Sequence, residues 1–324
     1  MTPTALPPVH ETWFVHHPED FPVRWEELRR PSVLIGLALV VVVTVSWRLA
    51  ARRMPTPELP QLRGLARFVP WVPRLLAIHL GASLLLLAFD RAVLDPSVIV
   101  PNDPAHTLLL LPEVLAGLLL LTGYAVPFAA SLVILAGPVL WWLAGTRSLL
   151  SCLALLGIAV FLTLVPPRPS MGGRARLDTA HLRPAVLALR VGTAGTLITL
   201  ALVEKLANPA MAHAMLVQKP LLDILSPIGV GPDAFATFAG CVEVLFALLV
   251  LSGAAPQVVA LVAAVPFTAT LFVFGGTELI GHLPVYGVLL TLLVLGSRAA
   301  TSGELSRLPF PGSTPAQRRS LAQV

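Results

Sequence analysis

Four residues in the second half of the chain bring ionisable side chains into apolar sequence. Glu204 and Lys205 close one hydrophobic run, Glu243 sits inside another, and His282 lies in a third. A charge at the centre of a bilayer costs about 2.5–3.5 kcal/mol on insertion scales, so such groups need a partner, a proton or a wet cavity. A carboxyl, an ammonium and an imidazole in low dielectric can exchange protons and stabilise a developing anion, the needs of a proton-coupled reduction. In that reading Glu243 exchanges the proton, Lys205 stabilises the oxyanion, and Glu204 and His282 complete a candidate catalytic group. Asp90, Arg91, Glu113 and Glu278 are candidate ligand-binding groups. In the first half the formal charges cancel, Asp90 and Glu113 against Arg91 and Arg147, which suits ion pairs that fix packing. In the second, Glu204, Glu243 and Glu278 face only Lys205, with His282 able to protonate, which suits a site that handles a proton or cation.

Other chemistries are weaker. His79 and His282 fall near opposite sides of the membrane in the topology below, which speaks against a shared haem. His10, His16 and His17 lie near Glu11, Glu19 and Asp20 but without a standard ligand spacing, so no metal is expected. Cys152 and Cys241 lie in separate apolar runs with no CxxC pair and read as small packing residues. No haem, flavin or iron–sulfur motif is present, so any electron transfer would use a quinone, the candidate cofactor, or a partner subunit.

The elements that carry these residues are membrane spans. Of 324 residues, 56% are hydrophobic and 12% charged, about half the usual charge of a soluble domain; mean hydropathy is +0.83. These values exclude a soluble enzyme. Two of the 22 basic residues are lysine, leaving 20 arginines, and with abundant Ala, Leu, Pro and Val this suggests GC-rich coding and a bacterial source. The net charge of +5 does not signal nucleic acid, because the arginines lie between apolar runs. Nine spans are expected, near 32–47, 75–94, 107–124, 127–145, 148–165, 189–206, 235–253, 256–275 and 279–296. The first has no cleavage site after it and reads as a retained span. Six arginines occupy 48–74, five 166–190 and four the stretch after 297. Placing these in the cytoplasm puts the N-terminus outside and the C-terminus inside a bacterial inner membrane, with Arg24, Arg29 and Arg30 against the trend. A short interfacial helix is expected within 207–234, around Met211 and Met215.

The chain also repeats itself. Residues 113–123 (EVLAGLLLLTG) and 243–253 (EVLFALLVLSG) are identical at seven of eleven positions, the Glu and the closing Gly among them. Gly81 precedes Asp90-Arg91 as Gly195 precedes Glu204-Lys205. Gly145-Thr146 aligned with Gly276-Thr277 sets Arg147 opposite Glu278. The expected architecture is an all-α membrane protein of two parallel four-helix units and one N-terminal helix. The divisions are an outer arm (1–30), a first helix (31–50), a linker (51–73), the first unit (74–166), a linker (167–189), the second unit (190–297) and a cytoplasmic tail (298–324).

The second unit resembles the DoxX-like membrane proteins. Arg190 opens a Gly-containing span ending Glu204-Lys205-Leu206, Glu243 opens a Leu-rich stretch closing on Gly253, and His282 runs to Tyr286-Gly287 in the last span. The first unit resembles a diverged copy, with Arg91 for the lysine and Ser151 where His282 would align. The resemblance implies a four-helix module, found in a subunit of a thiosulfate:quinone oxidoreductase and in redox-stress complexes. The leading expectation is the membrane subunit of a quinone-linked redox system, with the bilayer and a redox enzyme subunit as partners. The alternatives are a proton-coupled carrier of a small solute or lipid, using Glu113 and Glu243 as a pair, and a non-catalytic scaffold or assembly factor.

Overall fold

The computed structural model describes residues 20–167, 177, 179–218 and 229–306. A 3-10 turn (Trp25–Arg29) leads into α1 (Pro31–Ala51), and a longer 3-10 stretch (Pro60–Trp71) into α2 (Val72–Phe89). A small antiparallel hairpin follows, β1 (Ala92–Val93) and β2 (Asp95–Ile99). Then come α3 (Pro104–Thr107), a 3-10 turn (Leu108–Leu110), α4 (Leu111–Thr122), α5 (Val126–Ser151) and α6 (Leu153–Leu164). The second half holds α7 (Leu182–Leu200), a π-helical turn (Ala201–Leu206), α8 (Pro209–Gln218), α9 (Pro232–Ser252), α10 (Pro256–Phe274), α11 (Gly276–Gly296) and α12 (Ala299–Ser306).

Among the described residues five helical stretches are long and apolar enough to cross a membrane: 31–51, 60–89, 126–151, 182–206 and 232–252. Four shorter apolar helices accompany them, at 108–122, 153–164, 256–272 and 281–296. By length and composition this is a multi-pass membrane protein. The span expected at 75–94 stops at Phe89, because Arg91 takes a left-handed φ of 59° and bonds the carbonyls of Val100 and Pro101. The hairpin then tucks Leu94, Asp95 and Val98 into the protein. The span expected at 189–206 begins at Leu182, whose spacing with Ala185, Val186 and Leu189 builds a buried stripe that Arg183 hides in a hydropathy profile.

The backbone repeats at a constant offset. Gly123 and Gly253, 130 residues apart, end α4 and α9 with φ of 79° and 64°. Two residues later Ala125 and Ala255 both take φ 47°, and Pro127 and Pro256 lie at the first or second position of the next helices. Gly145 (φ 82°, ψ −176°) and Gly275 (φ 71°, ψ −151°) break the helices in the same way. This register corrects the alignment through Gly276: Gly275 answers Gly145, so Thr277 stands opposite Arg147, and Cys152 rather than Ser151 opposite His282. The first two markers also carry a matching device. Arg74 reaches from α2 to the carbonyls of Leu120 (2.7 Å) and Leu121 (2.5 Å) at the end of α4. Arg190 reaches from α7 to Val250 (3.1 Å), Leu251 and, beyond α9, Leu305 (2.9 Å). Each guanidinium meets the negative end of a helix where its last carbonyls lack partners. A side chain on Gly123 or Gly253 would collide with it.

Helix packing follows the same order. α2 packs on α4 as α7 packs on α9, and α5 on α6 as α10 on α11. The halves meet through α6 on α7 and through α11 on α2. Gly157 and Gly192 let α6 and α7 approach to backbone contact, and Gly287, 130 residues after Gly157, lies against His79 of α2. α1 stands outside this body. It packs along α9 through Gly36 against Cys241 and otherwise exposes Leu34, Ile35, Leu39 and Val42.

Candidate functional site

Glu204 and Lys205 lie on the π-helical turn that ends α7. The wider ring is closed by the Ala207 N–H donating to the Leu202 carbonyl at 2.8 Å. Such turns insert one residue into a helix and are frequent at functional sites. Here the turn directs two consecutive charged residues inward. Glu204 is fully buried, and Lys205 Nζ lies 3.1 Å from Glu243 Oε2, both side chains largely covered. Glu243 comes from the middle of α9, which α7 already packs against.

His282, on α11, is buried edge-on against Phe267, with ring centroids 4.8 Å apart, and against Tyr286 at 6.3 Å. It bonds the backbone of Phe267 and feels the charge of Lys205. Glu204, Lys205, Glu243 and His282 therefore share one neighbourhood. Glu278 lies on α11, its side chain outside the described residues.

The first half does not reproduce this cluster. Asp90 is exposed at the end of α2. Arg91 closes the hairpin loop and also donates to Thr107 Oγ1 at 3.1 Å. Glu113 is buried and accepts the Leu94 N–H at 3.2 Å, its other oxygen having no hydrogen-bond partner among the described residues. The equivalent of Glu243 is thus tied to the hairpin backbone.

Charge is shared across the halves. Arg147 interacts electrostatically with Glu204 of the second half and with Asp95 of the hairpin. Summing charges half by half, as the sequence invites, misassigns Arg147. Asp95 is buried, with Ser97 donating from its N–H (2.8 Å) and hydroxyl (2.5 Å) and Ser151 donating a further hydroxyl. Removal from water pushes the Asp95 carboxyl from its ordinary 3.8 up to about 6, against the pull of the Ser97 bonds and Arg147. A cavity of about 60 Å³ lies beside it, lined by Ser83, Asp95, Ser151, Cys152 and Thr196 and by Gly281 next to His282. Thr196 accepts the Ala154 N–H and donates to the Ser151 carbonyl, both at 2.9 Å, so α7 caps the start of α6 at the cavity wall.

Asp95 and Thr196 escape a sequence reading centred on charges inside apolar runs. The available signal is the Asp95-Pro96-Ser97 turn pattern. Cys241 packs against Gly36 and Cys152 lies buried in the core, both as expected, and Cys152 also lines the cavity. The short helix expected near Met211 and Met215 is α8, both methionines buried under Phe21. Residues 219–228, the histidines of the N-terminal arm and the tail after 306 lie outside the described residues. Among the described residues no group of three or more metal-ligating side chains forms. No protein-family model, no curated protein and no solved structure matches the chain.

Proposed function

We propose that this chain is a DoxX-like protein of the bacterial inner membrane, built as α1 plus two parallel four-helix units, one of α2, α4, α5 and α6 and the other of α7, α9, α10 and α11. The N-terminus is outside and the C-terminus cytoplasmic. It serves as the membrane subunit of a quinone-linked redox system. The observation that carries this reading is the Lys205–Glu243 pair at 3.1 Å, held in apolar surroundings with His282 in the field of Lys205. Reduction of a quinone to its quinol takes up two electrons and two protons. A partner redox subunit supplies the electrons, Glu243 passes protons to the quinone oxygens, and Lys205 balances the charge that develops there.

The test is extraction of protein purified in mild detergent, with mass spectrometry for a stoichiometric quinone. Expected is a bound quinone in the wild type and its loss in Lys205→Ala. Quinone reduction with the partner subunit should fall at least about a hundredfold in Glu243→Gln, the scale of one general acid–base group. Full activity in Glu243→Gln removes the mechanism.

A second reading, a proton-coupled carrier, draws on the cavity between the halves, where Asp95 lies beside Ser151 and Thr196. Solute uptake into vesicles, driven by a pH gradient and abolished in Asp95→Asn, would favour it over the redox reading.

A further inference from the structure

We propose that the recess at the arginine-rich end of α1 binds the phosphate headgroup of an anionic phospholipid. The recess has a volume of about 310 Å³. Arg48 lines it from the last turn of α1 and Arg52 from the residue that caps the helix, Thr56 and Glu58 from the following segment, Ala254 from the α9–α10 turn and Ser302 from α12.

The 21 residues of α1 rise about 31 Å, close to the hydrocarbon thickness of a bilayer. The exposed apolar side of α1 is where acyl chains lie, so its last turns sit where the headgroups of those same lipids begin.

Arg48 and Arg52, four residues apart across the end of α1, both line the recess. Arg190 lies within the field of Arg48, although its own donors are used on the carbonyls of Val250, Leu251 and Leu305. Glu58 is the one carboxylate among the described residues of the wall, and it already accepts the Gln257 N–H at 3.1 Å.

The recess is also preorganised. Arg48 Nη1 donates to the Ser252 carbonyl at 2.5 Å, and the neighbouring Trp47 donates to the Ala254 carbonyl at 3.0 Å. These bonds hold one guanidinium at the mouth with further N–H groups to offer, the fork geometry that suits phosphate. Basic pockets between spans at headgroup level hold anionic lipids by this chemistry. The site lies apart from the Lys205–Glu243 pair and does not depend on the redox reading.

The full chain is reconstituted in phosphatidylcholine vesicles with and without phosphatidylglycerol, transferred to mild detergent, and the retained lipid counted by native mass spectrometry. Expected is one retained phosphatidylglycerol per chain, with retention falling about tenfold in Arg52→Gln and further in the Arg48→Gln/Arg52→Gln pair. Arg52 is exposed, so its single variant carries the test if Arg48→Gln fails to fold. Arg53→Gln, an exposed neighbour that does not line the recess, should retain the lipid as the wild type does. Equal losses in Arg52→Gln and Arg53→Gln would mean generic surface attraction and overturn the proposal. So would undiminished retention in Arg52→Gln, or release of the lipid by inorganic phosphate, which would make the occupant a soluble phosphate.

Discussion

Arg190 shows how a buried charge is kept inside this protein without a carboxylate. It is 2% exposed, and three carbonyls at helix ends take its donors, so the negative ends of α9 and α12 act as the counter-charge. Arg190→Met strands those carbonyls in an apolar setting and should cost about 3 kcal/mol or more, read as a lower unfolding temperature in detergent. Asp95 makes the opposite prediction. Its carboxyl is easier to ionise unfolded than folded, so its ionisation lowers stability. That loss is absent below its ordinary 3.8 and complete above about 6. Ser97, Ser151, Arg147 and Cys152 face it; burial raises its carboxyl, and the Ser97 bonds and Arg147 limit the rise. Asp95→Asn keeps the Ser97 bonds and cannot ionise. Its stability should equal or exceed that of the wild type above pH 6, with a flatter profile from pH 4 to 7; an unchanged profile would remove Asp95 as the titrating group.

Among the elements, two features place the site. The π-helical turn brings Glu204 and Lys205 inward together, one toward Arg147 and the other onto Glu243. The break between α5 and α6 at Cys152 leaves helix-end groups that Thr196 satisfies from α7. Thr196→Val keeps the shape and loses both bonds, which should cost about 1–3 kcal/mol and loosen the cavity wall. At Gly192 the crossing of α6 and α7 has no room for a side chain, because a Cβ there would run into the Leu153 carbonyl. Gly192→Leu should therefore eliminate the monodisperse folded protein on size exclusion, whereas Val191→Leu, at an exposed position on the same helix, should leave it intact.

For the whole molecule, the main seams between the halves are α6 on α7 and α11 on α2, with α5 also against α7, and α1 adds a flank on α9 and the π-helical turn. If each half buries its apolar faces on the other, residues 1–167 and 177–324 made as separate chains should purify together. Either one alone should aggregate, because its seam faces polar groups such as Arg147 and Glu204 that the partner half balances. Folded recovery of 177–324 alone would show the second half to be self-sufficient.

The apolar runs were legible because a bilayer demands long stretches of hydrocarbon side chains, and that demand leaves its mark residue by residue. The recurrence of Glu113 and Glu243, of Gly123 and Gly253, and the candidacy of Glu204, Lys205, Glu243 and His282 were visible for the same local reason: polar or flexible residues stand out in such a background. Partnership was not visible. That Lys205 meets Glu243 and that Arg147 answers a carboxylate of the other half follow from how α7 sits between α6 and α9, and that Asp95 becomes buried follows from how the hairpin packs on α5. A charge inside an apolar run announces that it needs a counter-charge, but the identity of that counter-charge depends on contacts between residues far apart in the chain, as Lys205 and Glu243 or Arg147 and Glu204 are, and those are set by packing, not by local sequence.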